Sequence, residues 1–107
     1  MKELSEQQLL EAIEQDGKAL TVFLYTPFCG TCKAARRMLE IAEHMLAGEA
    51  EFAAANVNML PVLVNRYRIT SVPALLTLPA VRSSGMKIYY RMVSVEQMLH
   101  YIRSVTS

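Results

Sequence analysis

Apolar and polar positions change rhythm several times along this chain. In "ELSEQQLLEAIEQ", Leu9, Leu10 and Ile13 fall on one helical face, Ser5 and Gln8 form a capping box, and Gly17 offers a stop. The next stretch, "LTVFLY", is apolar at nearly every position and rich in β-branched and aromatic residues. Bounded by Gly17 and Pro27, it predicts a strand covered on both faces. A second helix is predicted from the cysteines onward, because Met38, Leu39, Ala42, Met45 and Leu46 recur at helical spacing before Gly48. "EFAAANV" reads as a strand, although its alanines also suit a helix. Asn58 is expected to cap a short third helix with Leu60, Leu63, Val64 and Tyr67 on its apolar side and Pro61 in its first turn.

The last third is shorter in period. "PALLTL" predicts a strand and "RSSG" a turn. Met86, Ile88, Tyr90 and Met92 then alternate with Lys87, Tyr89 and Arg91, as in a strand with one drier face. The final run, "SVEQMLHYI", carries a second capping box in Ser94 and Gln97 and a stripe of Val95, Met98, Leu99 and Ile102. The order α-β-α-β-α-β-β-α predicts an α/β fold with a central mixed four-stranded sheet flanked by four helices. A crossover unit is followed by a hairpin, and residues 1–107 are expected to form a single domain.

Composition narrows the function classes. With 107 residues, 52% hydrophobic, 20% charged and a net charge of +1, the chain is neither disordered nor basic enough for an electrostatic nucleic-acid footprint. No apolar run has the length of a membrane span, and "MKELSEQQLL" lacks the profile of a secretory signal. A cytoplasmic setting is therefore expected, in which an ordinary structural disulfide does not persist.

The two cysteines stand in "FCGTCK", between the first strand and the second helix. By spacing they suit a redox pair, half of a zinc site or a structural bond. A zinc site wants four ligands, and His44 and His100 lack the paired spacing of a finger, so both read as ordinary helix positions and no metal is expected. The redox reading has a physical basis. Cys29 falls at a helix N-terminus, where free N–H groups and the dipole stabilise a thiolate and lower a thiol pKa from its free value of about 8.5. Cys32, one turn deeper, is within reach of it. Cys29 is then the attacking nucleophile and Cys32 the resolving thiol. Lys33 and Arg36 read as a solvated helix face.

"FCGTCK" after a buried strand, with "SVPALL" some forty residues later, resembles the thioredoxin family over nearly the whole chain. The resemblance implies the thioredoxin fold, to which a short extra N-terminal strand can be added, and a cis Val72–Pro73 bond facing the sulfurs. It also implies substrate contacts at Phe28, Gly30, Thr31, Val72 and Pro73. The implied function is that of a thiol–disulfide oxidoreductase without cofactor, a monomer that reduces protein disulfides and is itself reduced by a thioredoxin reductase. The alternative is a non-catalytic module of the same fold, or a redox sensor. A glutathione-binding relative is disfavoured, since "RSSGMKIYYRMV" contains no Gly-Gly motif.

Several positions depart from the family pattern. Phe28 stands where Trp is usual and Thr31 where Pro is usual. Phe23 replaces a buried Asp, Ala54 aligns with its usual Lys partner, and Arg37 replaces a helix-kinking proline. Joint loss of the carboxylate and the lysine is self-consistent, because either charge buried alone is costly. It leaves Cys32 without an obvious base, so release of a mixed disulfide is expected to be slower. The methionines Met45, Met59, Met86, Met92 and Met98 read as core gap-fillers, and the tyrosines as core and sheet-face residues.

Overall fold

The computed structural model describes residues 1–106. Its elements are β1 (Lys2–Glu3), α1 (Glu6–Glu14), β2 (Leu20–Tyr25), α2 (Gly30–Met45), β3 (Glu51–Asn56), α3 (Pro61–Arg66), β4 (Ala74–Leu78), β5 (Lys87–Tyr89) and α4 (Val95–Thr106). The strands form one sheet in the order β1-β3-β2-β4-β5. β1, β3 and β2 run parallel; β4 and β5 are antiparallel additions. The sheet thus has five strands where the chain pattern predicts four, the fifth being the short N-terminal strand that the family resemblance allows. Two residues suffice for it because Leu4 N–H continues the ladder to Ala54 O at 2.9 Å.

Alternation along the central strands splits the core into two layers. Leu20, Val22 and Leu24 of β2 and Ala74, Leu76 and Leu78 of β4 pack with Leu9 of α1 and with Leu60 and Leu63 at α3. Phe23 and Leu75, on the opposite face, pack with Leu39 of α2 and Met98 and Ile102 of α4. Both faces are covered, which is why "LTVFLY" and "ALLTL" are apolar almost throughout. Glu6 joins the two helices of the first layer: its Oε2 accepts from Leu63 N–H at the start of α3, at 2.9 Å. At the far end, the Arg82 guanidinium donates to the carbonyls of Ala12, Lys18 and Pro79 at 2.8, 3.1 and 2.5 Å, joining the end of α1 to the loop after β4.

Local departures from the pattern have identifiable causes. The Ser5–Gln8 capping box forms as expected, but α1 ends at Glu14, before Gly17, whose N–H bonds to Ala80 O at 3.0 Å instead. Asn56, not Asn58, supplies a side-chain cap. Its Oδ1 accepts from Asn58 N–H at 3.0 Å in a 3-10 turn over Val57–Met59. α3 then begins at Pro61 with no side-chain cap. Before α4, Gln97 N–H donates to Ser94 Oγ, but the Gln97 side chain reaches one residue further back, to Val93 N–H.

The alternation after "RSSG" lasts only three residues, and its wetter side is exposed at Lys87 but covered at Tyr89. Tyr89 stacks on Tyr101 of α4, ring centroids 3.8 Å apart, because helices cover both faces of the sheet. Among the methionines, Met98 is fully buried, but Met45 and Met59 are 56% and 71% exposed and fill no core gap. α2 runs without interruption past Arg37.

Candidate active site

The site lies where β2 ends and α2 begins. Cys29 is the N-cap of α2, with extended backbone, and its sulfur accepts from Cys32 N–H at 3.2 Å. The Thr31 hydroxyl is 3.3 Å from the same sulfur. A cysteine in this position takes the place of the oxygen-bearing side chains that normally satisfy the first free N–H groups of a helix. When the sulfur is reduced, the same contacts and the helix dipole favour its thiolate.

Cys29 and Cys32 are joined as a disulfide, with Cα atoms 5.2 Å apart. The two sulfurs differ in access: Cys29 is half-buried, whereas Cys32 is only 4% exposed and belongs to the α2–α4 core layer.

The other positions singled out in the sequence surround this pair unevenly. Phe28 projects into solvent at 99% exposure, an apolar ring with no intramolecular partner layer beneath it. Gly30 and Thr31 form the exposed first turn of α2. The Val72–Pro73 peptide is cis, both residues are half-buried, and Val72 packs against the layer that contains Cys29 and Cys32.

Beneath the sulfurs, Phe23 is 1% exposed and lies opposite Ala54 in the β2–β3 register. The usual place of a buried carboxylate and lysine is occupied by a ring packed on a methyl group, with no unpaired charge.

Near the pair, Glu3 was not singled out by sequence reasoning, and Tyr25 and Arg36 were read only as a core or sheet-face residue and a solvated helix position. A cavity of about 180 Å³ beside the sulfurs is lined by Phe23, Tyr25, Cys29, Cys32, Lys33 and Arg36 among others. The Tyr25 hydroxyl donates to Glu3 Oε1 at 2.8 Å, and the Arg36 guanidinium sits 5.6 Å from the Tyr25 ring centroid. Arg36 is therefore half-buried over an aromatic face rather than simply solvated. Burial, then the hydrogen bond to Glu3 and the charge of Glu3, push the Tyr25 phenol above its ordinary pKa, with Arg36 opposing. The phenol stays protonated and remains a donor. Period-two alternation in "LTVFLY" signals that Tyr25 shares a face with Phe23. No local signal brings Glu3 there, because that needs β1 beside β3. Among the described residues, no three His, Cys, Asp or Glu side chains come together as a metal site, and no helix is long and apolar enough to cross a membrane.

The fold and the paired sulfurs define a class, and comparison with known proteins agrees. Residues 1–103 match the thioredoxin family model. The chain is 46% identical over 76 residues to the thioredoxin-like protein YusE of Bacillus subtilis (strain 168), a match covering 71% of this chain and 68% of that protein. The crystal structure of chloroplastic thioredoxin z superposes with a TM-score of 0.84 at 22% identity, covering 98% of this chain and 93% of that one, a likeness of fold. The chain belongs to the thioredoxin family. With its Cys29–Cys32 pair at bonding distance, it is a thiol–disulfide oxidoreductase acting on disulfide substrates.

Proposed function

We propose that this protein reduces protein disulfides by two-step dithiol exchange, with Cys29 as nucleophile and Cys32 as resolving thiol. The observation that carries the assignment is the asymmetry of the two sulfurs. Cys29 is the more accessible and alone receives the Cys32 N–H and the Thr31 hydroxyl, whereas Cys32 is buried beneath it. In the first step the Cys29 thiolate attacks a substrate sulfur, and the substrate's other sulfur leaves with the electron pair. In the second, Cys32 attacks Cys29 Sγ, the internal disulfide forms, and the remaining substrate sulfur leaves as a thiolate.

The substrate polypeptide is read as docking across Phe28, Gly30 and Thr31 on one side and Val72–Pro73 on the other. Exposed Phe28 supplies apolar area, and the Val72 backbone offers an edge for an extended peptide. The electron donor fitting this scheme is a thioredoxin reductase, with the protein working as a cytoplasmic monomer of one domain over residues 1–107. The non-catalytic module reading leaves the accessible helix-capping sulfur without a use.

Two measurements test the assignment. Equilibration in defined thiol–disulfide buffers, with trapping of free thiols, is expected to give one two-electron couple near the reducing value of about −270 mV. Cys32→Ser is expected to accumulate mixed disulfides at Cys29, and Cys29→Ser to accumulate none. Trapping at Cys32 in place of Cys29 reverses the roles. A chain that cannot close the internal disulfide in solution is not a dithiol reductase.

A further inference from the structure

Resolution of the mixed disulfide requires the Cys32 thiol to lose its proton, and Cys32 is nearly sealed from solvent. Phe23 and Ala54, the core neighbours across the sheet, have nothing that accepts one. The proton's way out is through the cavity at Cys32. At about 180 Å³ it has room for more than one water, each taking about 30 Å³ of liquid volume. Besides the cysteines, its titratable lining consists of Tyr25, Lys33 and Arg36. Lys33 and Arg36 are cations with no acceptor site. Tyr25 differs: its hydroxyl already donates to Glu3 Oε1 at 2.8 Å, and its oxygen, which Arg36 approaches as a donor, has a further lone pair for a water.

Glu3 reaches this place through the sheet. Glu3 on β1 is in register with Ala54 on β3, which is in register with Phe23 on β2. One row of three strands therefore presents Glu3, Ala54 and Phe23 to the α2 face, and Tyr25 lies two residues beyond Phe23 on that face. The edge strand thus brings a carboxylate to the site.

Other charged or titratable groups around the pair are distributed as follows. From α2 come Arg36 over the Tyr25 ring, Lys33 at the cavity, and Glu43, which pairs with the Met1 ammonium at 3.5 Å. From β5 and α4 come Tyr89 and Tyr101, stacked on each other in the same layer.

We propose that Glu3 is the terminal acceptor of the Cys32 proton, reached through the Tyr25 hydroxyl and water in the cavity. The inference rests on Cys32 being the resolving thiol. In the step, Cys32 Sγ–H gives its proton to a cavity water, that water passes one to Tyr25 Oη, and Tyr25 passes its own to Glu3 Oε1. The Cys32 thiolate forms the S–S bond to Cys29 as the Cys29–substrate bond breaks. The substrate thiolate takes the electron pair, and Glu3, exposed at the sheet edge, returns its proton to solvent. Tyr25 and Glu3 touch neither sulfur of the exchange; they are positioning residues that carry its proton.

The test uses the reduced full-length protein and 5,5′-dithiobis(2-nitrobenzoate) in stopped flow. Attack by Cys29 releases the first chromophoric thiolate, and attack by Cys32 releases the second, so the two phases separate the two steps. A well-placed general base contributes roughly 10²–10⁴-fold; for one acting through a phenol and a water, we expect about tenfold. Glu3→Gln and Tyr25→Phe should each slow the second phase by that factor at about pH 7, the double variant should add little, and Glu3→Asp should recover part of the rate. All variants should converge on wild type at strongly alkaline pH, where hydroxide takes the Cys32 proton without the relay. A merely structural role would leave the rates separated at high pH. Unchanged second phases, or a deficit that persists at every pH, overturn the relay and leave the oxidoreductase assignment intact. Absence of a second phase in wild type overturns that assignment itself.

Discussion

The Thr31 hydroxyl is the feature of the active-site turn whose effect can be worked through most directly. It lies 3.3 Å from Cys29 Sγ, which also accepts the Cys32 N–H at 3.2 Å. Thr31→Val keeps the β-branched shape and removes only the hydroxyl. In the oxidised protein this loses a weak contact to a neutral disulfide sulfur; in the reduced protein it loses a donor to a thiolate. Hydrogen bonds to charged groups contribute about 1.5–3 kcal/mol. Thr31 is exposed and water partly replaces its hydroxyl, so about 1 kcal/mol is a reasonable net value. Because the loss falls mainly on the reduced form, the couple should become more reducing. For a two-electron couple about 1.4 kcal/mol corresponds to about 30 mV, so the expected shift is about 20 mV toward negative potential.

The thiolate fraction should fall by about fivefold at a pH below the thiol's titration, which iodoacetamide alkylation of Cys29 reads as a slower rate. Redox equilibration of both proteins against the same thiol buffer measures the potential directly. A shift toward positive potential, or faster alkylation, would refute the assignment of Thr31 as a donor to the thiolate.

Further expectations concern stability. Thr21 and Thr77 face each other in the β2–β4 register, both fully buried, and neither Oγ1 has a hydrogen-bond partner. Since a buried unsatisfied hydroxyl costs about 1–3 kcal/mol, the double change to Val should raise Tm by several degrees in calorimetry, and a lower Tm would show that the hydroxyls are satisfied in solution. Arg82→Ala removes three hydrogen bonds to carbonyls of separate segments; with water restoring part of the loss, about 2 kcal/mol of destabilisation is expected, seen as a lower urea midpoint. Tyr25 titrates above its ordinary value in the folded state, first through burial and then through Glu3. The sign follows from linkage: the raised folded pKa contributes stability that is present below the unfolded value and lost as pH rises through the folded one. Denaturation midpoints should therefore decline in the alkaline range above about pH 10, and Tyr25→Phe should flatten that part of the decline.

What the chain's own pattern determines here is considerable. Unbroken apolar runs at "LTVFLY" and "ALLTL" are legible as strands covered on both faces, since a side-chain period of two with no polar face leaves no side for water. The cysteine pair is legible too, because two residues of spacing after a strand put one sulfur at a helix end and the other a turn deeper, and both facts are local.

Other features depend on contacts between distant segments. The two residues of β1 have no periodicity of their own; their strand character comes from pairing with Ala53 and Ala54. The short edge strand β5 ends at Tyr89, where the chain leaves the sheet and later folds Tyr101 onto that ring, so alternation beyond it carries no structural meaning. Met45 and Met59 match an apolar pattern yet lie in solvent, because a period assigns a face but not whether another element covers it. Glu3 shows the same limit at the active site. Its place beside Tyr25, 22 positions along the chain, results from three strands in register, a relation that only the assembled sheet creates.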